Sequence, residues 1–373
     1  MVFKTVCVRV ENNSVPDKFY EKDGEFRSIK EVHCRCIETL SDWAEKELEK
    51  EVVMDKHGER ILCLFYDESL FKNIKLNGVF LLCGKYEEEY FRVVDCRKVV
   101  PSDMLEPGST GNGRREIHRA FSELFGPAET GELVLLSLLS TNTSNLGGLN
   151  IGRLQINIVV SGGVESFLEL ARQFVPSVRR VELSRGSLES GCFVSVLDES
   201  GDFFSSGDFS VCDGTCVVID EKDISEGEIK NVENVTAVRH FMESGEAAYS
   251  TGQQLFFVPT DTAVVVFSEK KSILNVDNVL RVSSPGVPSL SLSAVSDCRW
   301  YFSQCREFQY RLDKEVSVGI EKDYVEERKR GYTERMFVED MNVFSLLCKS
   351  HLVHGTMELW QHAKKLGRYV RGV

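Results

Sequence analysis

The residues best spaced for chemistry lie in the middle of the chain, where Val217-Val218-Ile219 runs into Asp220-Glu221. A buried strand ending on two carboxylates can hold magnesium with the first and orient a water with the second, as nucleotide hydrolysis requires. Earlier in the chain, Leu154 to Val160 reads as a strand leading into Ser161-Gly162-Gly163, and Val164 to Phe174 reads as a helix closed by Pro176. Strand, glycine turn, helix, then a strand ending in Asp-Glu is the layout of a P-loop ATPase.

The phosphate chemistry fails that layout. A working loop is G-x-x-x-x-G-K-[ST], in which backbone amides cradle phosphate and the lysine neutralises the transferred charge. Here the loop reads Ser161-Gly162-Gly163-Val164-Glu165-Ser166. It is too short, and Glu165 stands near the place of the lysine, where a carboxylate repels a triphosphate. Ser166 could face a magnesium ion, but nothing else in the loop would hold the nucleotide. The strand Val264 to Phe267 ends in Ser268-Glu269 rather than in an asparagine-like sensor, and no Ser-Arg-Phe-like arginine finger follows. The expectation is no enzyme, no bound nucleotide or other cofactor, and an Asp220 that is structural.

Metal chemistry is not expected either. The chain has 12 cysteines, but Cys34-x-Cys36, Cys212-x-x-x-Cys216 and His351-x-x-His354 each lack a second hook at a zinc-site distance. They read as reduced thiols filling a core. The amino terminus has no apolar run behind a basic start, so secretion and disulfides are not expected. No apolar run approaches the roughly 20 residues of a membrane span.

The elements that would position these residues fall into blocks. The first, to about Leu105, is β-rich. Val2 to Val10 alternates, Ile61 to Tyr66, Val79 to Cys83 and Phe91 to Cys96 read as strands, and Trp43 to Lys50 reads as a helix with Ser41 as its N-cap. Such spacing suits a small OB-like barrel. Pro101 to Gly113 is rich in proline and glycine and reads as a linker. From Arg114, Ile117, Phe121, Leu124 and Phe125 recur at helical spacing, and Leu133 to Leu139 is a buried helix. The middle alternates strands and helices (Val235 to Glu243 a helix, Ala263 to Phe267 a buried strand), implying a parallel sheet. Beyond Pro288, Trp300 to Glu315, the charged Asp323 to Arg330 and the face Phe337, Met341, Phe344 and Leu347 read as helices. A closing basic helix carries Lys364, Lys365, Arg368 and Arg371, which reads as a solvated face before a phosphate contact or targeting signal.

Several stretches together resemble one family. Gly214 to Glu221, Thr236 to Glu243 and Ala263 to Phe267 resemble the ATPase core of minichromosome maintenance helicases without its phosphate loop. That combination is similar to the minichromosome maintenance complex-binding proteins, in which a Val-Ile-Asp-Glu strand is followed by Asn-Val-Thr-Ala and a helix; here they are Val218 to Glu221 and Asn234 to Ala237. Leu149 to Gly152, Ser161-Gly162, Phe174 to Pro176, Asp323 to Lys329, and Ile61 to Asp95 with Tyr66-Asp67-Glu68 and Leu76-Asn77-Gly78 resemble further pieces of that family in order. The likeness covers roughly residues 60 to 370. The long polar insert typical of the family is missing, and the first sixty residues match poorly.

The resemblance implies an α/β protein: an OB-like barrel over 1–105, a linker over 106–113, a degenerate AAA+-like parallel-sheet core over 114–286 and a helical lid over 287–373. It implies a non-catalytic factor of DNA replication that binds minichromosome maintenance helicase subunits and helps to assemble, store or unload them, in the nucleus and also the cytoplasm. Gly162, Gly163, Glu165 and Ser166 are then the relic of a phosphate loop, and Asp220 and Glu221 the relic of a magnesium site. The net charge of −13 disfavours direct nucleic-acid contact. Two rival readings are a nucleotide-gated ATPase and a single-stranded nucleic-acid binder that stacks bases on Phe65, Tyr66, Phe71, Phe80, Tyr86, Tyr90 and Phe91. In the second, Glu87 to Glu89 oppose binding, and aromatics at strand spacing are more often core.

Overall fold

The computed structural model describes residues 4–12, 18–22, 25–37, 40–49, 60–72, 74–87, 90–99, 102, 105–141, 144–146, 149–199, 203–221, 228–288 and 290–372. In chain order the elements begin with β1 (Lys4–Asn12), β2 (Lys18–Lys22), β3 (Glu25–Cys36), α1 (Asp42–Glu49), β4 (Arg60–Phe65), α2 (Glu68–Phe71), β5 (Val79–Glu87) and β6 (Tyr90–Lys98). There follow α3 (Thr110–Phe125), α4 (Ala128–Leu138), β7 (Ser144–Leu146), β8 (Leu149–Ile151), β9 (Ile156–Val159), α5 (Val164–Ala171), β10 (Val178–Leu183), α6 (Arg185–Ser190), β11 (Val194–Val196) and β12 (Cys216–Glu221). The chain continues with α7 (Val232–Ser244), β13 (Glu246–Ser250), β14 (Leu255–Pro259), β15 (Ala263–Ser268), β16 (Asn278–Arg281), α8 (Leu292–Glu307), α9 (Lys314–Arg328), α10 (Glu334–His351) and α11 (Met357–Arg371).

Two compact units divide this chain, and neither is continuous. The first comprises Met1–Met104, Gly186–Thr215 and Glu228–Thr260; the second comprises Leu105–Arg185, Cys216–Gly227 and Asp261–Val373. The helix expected over Val235 to Glu243 exists as α7, but it belongs to the first unit, not to the parallel-sheet unit.

In the first unit β1, β3, β4, β6 and β5 close into a five-stranded barrel, because β1 pairs with both β3 and β5. The expected small barrel is therefore present. Strict alternation fills its inside: Val8 and Val10, Val32, Cys34 and Cys36, Ile61, Cys63 and Phe65, Phe80 and Leu82, Phe91 and Val93 are all buried together. The Cys34-x-Cys36 spacing is thus the period-two repeat of a strand facing a core. Burial pushes the Cys34 thiol well above its ordinary range, so it stays protonated. The inserted segments add the small sheet β11-β13-β14 and α7. A buried charge cluster joins them to the barrel. Glu11 Oε1 accepts from Arg9 Nη2 at 2.6 Å and from Arg35 Nε; Arg9 also donates to Ser210, and Arg35 Nη2 donates to the Phe204 carbonyl at 2.9 Å.

In the second unit β10, β12, β15, β9 and β16 form an all-parallel sheet in that order. β12 and β15 are buried at every position, as a central strand covered on both faces must be, and each reads as a continuous apolar run. α4 is buried over nearly its whole length, and its Leu133 to Leu138 pack with Phe121, Phe125, Phe167, Phe174 and Phe267 into one core. Residues 108–113, read from the sequence as linker, pack instead. Ser109 caps α3 by accepting from Asn112 N, and Asp297 of α8 accepts from Ser109 N at 2.8 Å and Asn112 Nδ2 at 2.6 Å. A Cβ on Gly113 would lie 2.3 Å from the Asp297 carbonyl oxygen, so this glycine lets two helices approach rather than bend.

The closing helices are tied by charge. Asp323 on α9 accepts from Trp360 Nε1 at 2.7 Å and Lys364 Nζ at 2.9 Å; Asp340 on α10 accepts from Tyr332 Oη at 2.6 Å and Arg371 Nη2 at 3.0 Å. The expectation that the basic run on α11 is a solvated face is corrected for two of its four residues: Lys364 is buried and Arg371 pairs with the buried Asp340, while Lys365 and Arg368 stay exposed beside Glu129 and Glu327. Helical periodicity puts 364, 368 and 371 on one stripe with 365 at its flank, but does not show that this stripe meets acidic neighbours. The helix expected over Trp300 to Glu315 is two elements, α8 ending at Glu307 and α9 beginning at Lys314. No helix among the described residues is long and apolar enough to cross a membrane.

Candidate functional site: the carboxyl edge of the parallel sheet

In an open parallel sheet, ligands bind outside the carboxyl ends of the strands, where the chain order reverses. Here the reversal lies between β9 and β15. From β9 the chain crosses to β10 at one edge, and from β15 it crosses to β16 at the other. The six residues of the nucleotide-site reading, Gly162, Gly163, Glu165, Ser166, Asp220 and Glu221, lie at this edge. Val160 N donates to the Ser268 carbonyl at 3.0 Å, and the chain then turns through Gly162 (φ 81°) and Gly163 (φ 85°) into α5. Gly163 is the N-cap of α5, and a Cβ there would sit 3.0 Å from the Pro285 Cβ. A side chain at this position is opposed by the left-handed backbone and by Pro285 alike.

A helix start of this kind is a ready anion site, because free amides and the helix dipole both favour negative charge. This one is met by its own chain. Glu165 stands in the first turn of α5, with Ser166 beside it. Arg180 of β10 donates from Nη1 to Glu165 Oε1 at 2.5 Å. The same guanidinium donates from Nη2 and Nε to Asp220 Oδ2 at 2.5 and 3.2 Å. Asp220 is buried and Arg180 partly exposed, so the arginine bridges from the end of β12 to the start of α5. The hydrogen bond to Asp220, foremost, raises the Arg180 pKa further and keeps it charged.

Glu221 is engaged separately. Its Oε2 accepts from Ser272 Oγ and its Oε1 from Ile273 N at 2.9 Å. Its carboxylate therefore fastens the loop between β15 and β16. Asn157 on β9 accepts from Ser268 Oγ at 3.0 Å, joining the two strands at the reversal. The six sequence-selected residues thus share one edge, with Asp220 and Glu165 joined through Arg180 and Glu221 turned to a loop. Arg180, Ser272 and Pro285 were missed. Arg180 lies opposite Val218 in the ladder, while Glu182 lies opposite Asp220, so the arginine reaches forward along the strand. Only the order of strands, not local sequence, puts it beside Asp220.

The cysteine and histidine pairs weighed and set aside as zinc hooks lie apart from this edge or serve as core. Among the described residues no group of three His, Cys, Asp or Glu is placed to hold a metal. Burial pushes the Cys216 thiol up to about 12. His354 accepts at Nδ1 from Arg311 N at 3.2 Å. Of the seven aromatics weighed for base stacking, Phe65, Phe80 and Phe91 are buried core, Phe71 packs partly buried against it, Arg92 covers Tyr66, and Tyr86 stays exposed with its ring edge-on to Phe91.

The stretches that carried the family resemblance are occupied structurally. Asn234 Nδ2 donates to the carbonyls of Leu188 at 3.1 Å and Gly191 at 2.9 Å. Gly152 N donates to Asn342 Oδ1 at 2.9 Å, and Asp323 holds Trp360 and Lys364. The sequence model of a family described as the mini-chromosome maintenance replisome factor matches residues 103–371. The mini-chromosome maintenance complex-binding protein of Danio rerio is 25% identical over 283 residues, which cover 69% of this chain and 45% of that protein. That of Gallus gallus is 23% identical over 266 residues, 65% of this chain and 42% of the relative. That of Arabidopsis thaliana is 24% identical over 217 residues, 53% and 36% of the two chains. The chain spans less than half the length of these curated relatives. With its match running from residue 103 to residue 371, the chain belongs to the mini-chromosome maintenance replisome factor family.

Proposed function

We propose that this chain is a non-catalytic replication factor that binds minichromosome maintenance helicase subunits, and that it does so without a nucleotide of its own. The observation that carries the first half is the family match over residues 103–371, together with relatives named as complex-binding proteins. The second half rests on the sheet edge. An ATPase would use Asp220 for magnesium and Glu221 for water. Here Arg180 already neutralises Asp220, and Glu221 holds Ser272 and Ile273. Glu165 at the helix start adds a negative charge where a phosphate would need a positive one.

The degenerate AAA+-like reading of the second unit draws support from its strands. All five are parallel, the first ends in a glycine turn into a helix, and one strand separates it from the strand that ends in Asp-Glu. The OB-like reading of the barrel draws support from its five closed strands, with the short α2 between β4 and β5. A module of helicase-subunit shape can offer the faces by which such subunits associate while being unable to fire the site it helps to form. The proposal extends to assembly, storage or unloading of the helicase, in the nucleus and also the cytoplasm. Direct nucleic-acid contact forms no part of the proposal. The rival nucleotide-gated reading has a separate test: saturable micromolar binding of labelled ATP with magnesium would favour it.

Truncation at the proline- and glycine-rich stretch is not a clean experiment, because Gly186–Thr215 and Glu228–Thr260 belong to the compact unit of the barrel. The whole chain is the proper reagent. Titrated against purified helicase subunits, it should bind at low and at moderately raised salt, because interfaces of this kind depend on a few buried anchors. Binding that collapses as salt is raised would point instead to the net charge of −13 as the driving force.

A further inference from the structure

We propose that Arg180 is a built-in counter-ion that fixes the glycine turn after β9, doing with a side chain what a bound ligand would otherwise have to do. The proposal deepens the nucleotide-independent reading above and rests on it only for the comparison with a ligand-filled edge. The geometry stands alone. One guanidinium spans two carboxylates on different elements, Asp220 at the end of β12 and Glu165 at the start of α5, through three hydrogen bonds of 2.5, 2.5 and 3.2 Å.

Without that guanidinium the two carboxylates would face one another across the width of a single group, in a place where Asp220 is buried. Two like charges so close cannot both stay ionised and in place. The cheapest relief is for the more exposed partner, Glu165, to swing away. Glu165 is in the first turn of α5, and only Val164 separates it from Gly163 and Gly162, the two most permissive backbone positions of the turn. The turn would loosen with it. An arginine serves this purpose better than a lysine. It keeps its charge at every physiological pH, and its planar fork reaches both carboxylates at once. It is also present in every copy of the chain, so the turn needs no metal or phosphate to adopt its shape.

The test is backbone hydrogen exchange over residues 161–168 in the isolated chain, with no helicase present. In Arg180→Ala the amides of the turn and the first turn of α5 should exchange roughly tenfold faster or more, while those of β12 and β15 hold. Millimolar manganese should slow them again in Arg180→Ala by replacing the missing charge, and should do nothing in the parent chain. Glu165→Gln, at an exposed position, keeps an acceptor for Arg180 but loses the charge, and should loosen the same amides less than Arg180→Ala does. Unchanged exchange in a folded Arg180→Ala and in Glu165→Gln would overturn the proposal. Loosening that manganese leaves untouched would overturn its counter-ion basis. A chain that exchanges as expected yet fails to bind helicase subunits would sink the functional reading and leave this one standing.

Discussion

Two arginine-carboxylate clusters, one in each compact unit, place the same chemistry in opposite settings. In the barrel unit the side chains of Arg9, Glu11 and Arg35 are 6%, 3% and 10% exposed. In the parallel-sheet unit those of Arg180, Glu165 and Asp220 are 33%, 67% and 5% exposed. The first cluster is sealed: its arginines also donate to Ser210 and the Phe204 carbonyl, so each guanidinium is spent on joining the inserted segment to the barrel. The second lies open on one side, at the sheet edge where ligands of such folds bind. Burial, not residue type, separates a cluster that holds a unit together from one that governs a single turn. In low dielectric an orphaned charge has nowhere to go; at an edge it has water.

The largest effect should come from the sealed cluster. Glu11→Ala leaves two guanidiniums buried in the barrel unit with their shared acceptor gone, and should cost about 3–5 kcal/mol. Denaturant unfolding followed in that unit would measure it, and a loss below about 1 kcal/mol would erase the difference between the two clusters. Next comes Asp323→Ala in the other unit, which leaves the buried Trp360 indole N–H without this acceptor and the buried Lys364 ammonium to Glu327 at 3.5 Å. It should cost about 2–3 kcal/mol, read as an earlier midpoint for the helical end of the chain.

Lys349 sharpens the comparison through pH. It is a buried amine whose Nζ donates to Thr141 Oγ1 at 2.9 Å, and burial, aided by Arg306, lowers its pKa to about 8. The unfolded chain binds this proton more tightly than the folded one, so unfolding takes protons up, and stability gains as pH rises from about 8 toward the ordinary lysine range. Lys349→Met should lose that rise, seen as a flatter dependence of Tm on pH than in the parent chain. Equal slopes for the two proteins would show the amine to be solvated. The smallest effect belongs to Lys365, 70% exposed and 3.4 Å from Glu129. Lys365→Ala should shift stability by less than about 0.5 kcal/mol, which would separate it from its neighbour Lys364 on the same basic helix.

What could be read from the sequence follows from how far each signal reaches. β12 and β15 are continuous apolar runs buried on both faces, and α4 is an unbroken apolar stretch, so their identity is local. β3 was missed because Glu31, His33 and Arg35 alternate with Val32, Cys34 and Cys36, which makes the strand look too polar. Its charged face is nonetheless buried, Arg35 reaching the carbonyl of Phe204, far along the chain. α7 was recognisable as a helix but not as part of the barrel unit, since that membership rests on long-range packing. At the sheet edge, Asp220 and Glu221 announce themselves by ending an apolar strand. Arg180 does not, because beside Arg179 on β10 it resembles any solvated pair, and only the strand order brings it to Asp220.

Helicase-subunit binding without a nucleotide of its own is what we propose for this chain. The most direct measurement is the affinity of the purified whole chain for purified minichromosome maintenance subunits, at moderately raised salt, after stripping nucleotide from the chain, with and without added ATP and magnesium. Saturable binding with the same Kd in both conditions is expected, because Arg180 already pairs with the carboxylate that would hold the nucleotide's magnesium. Absence of binding, or binding that appears only when nucleotide and magnesium are present, would contradict it.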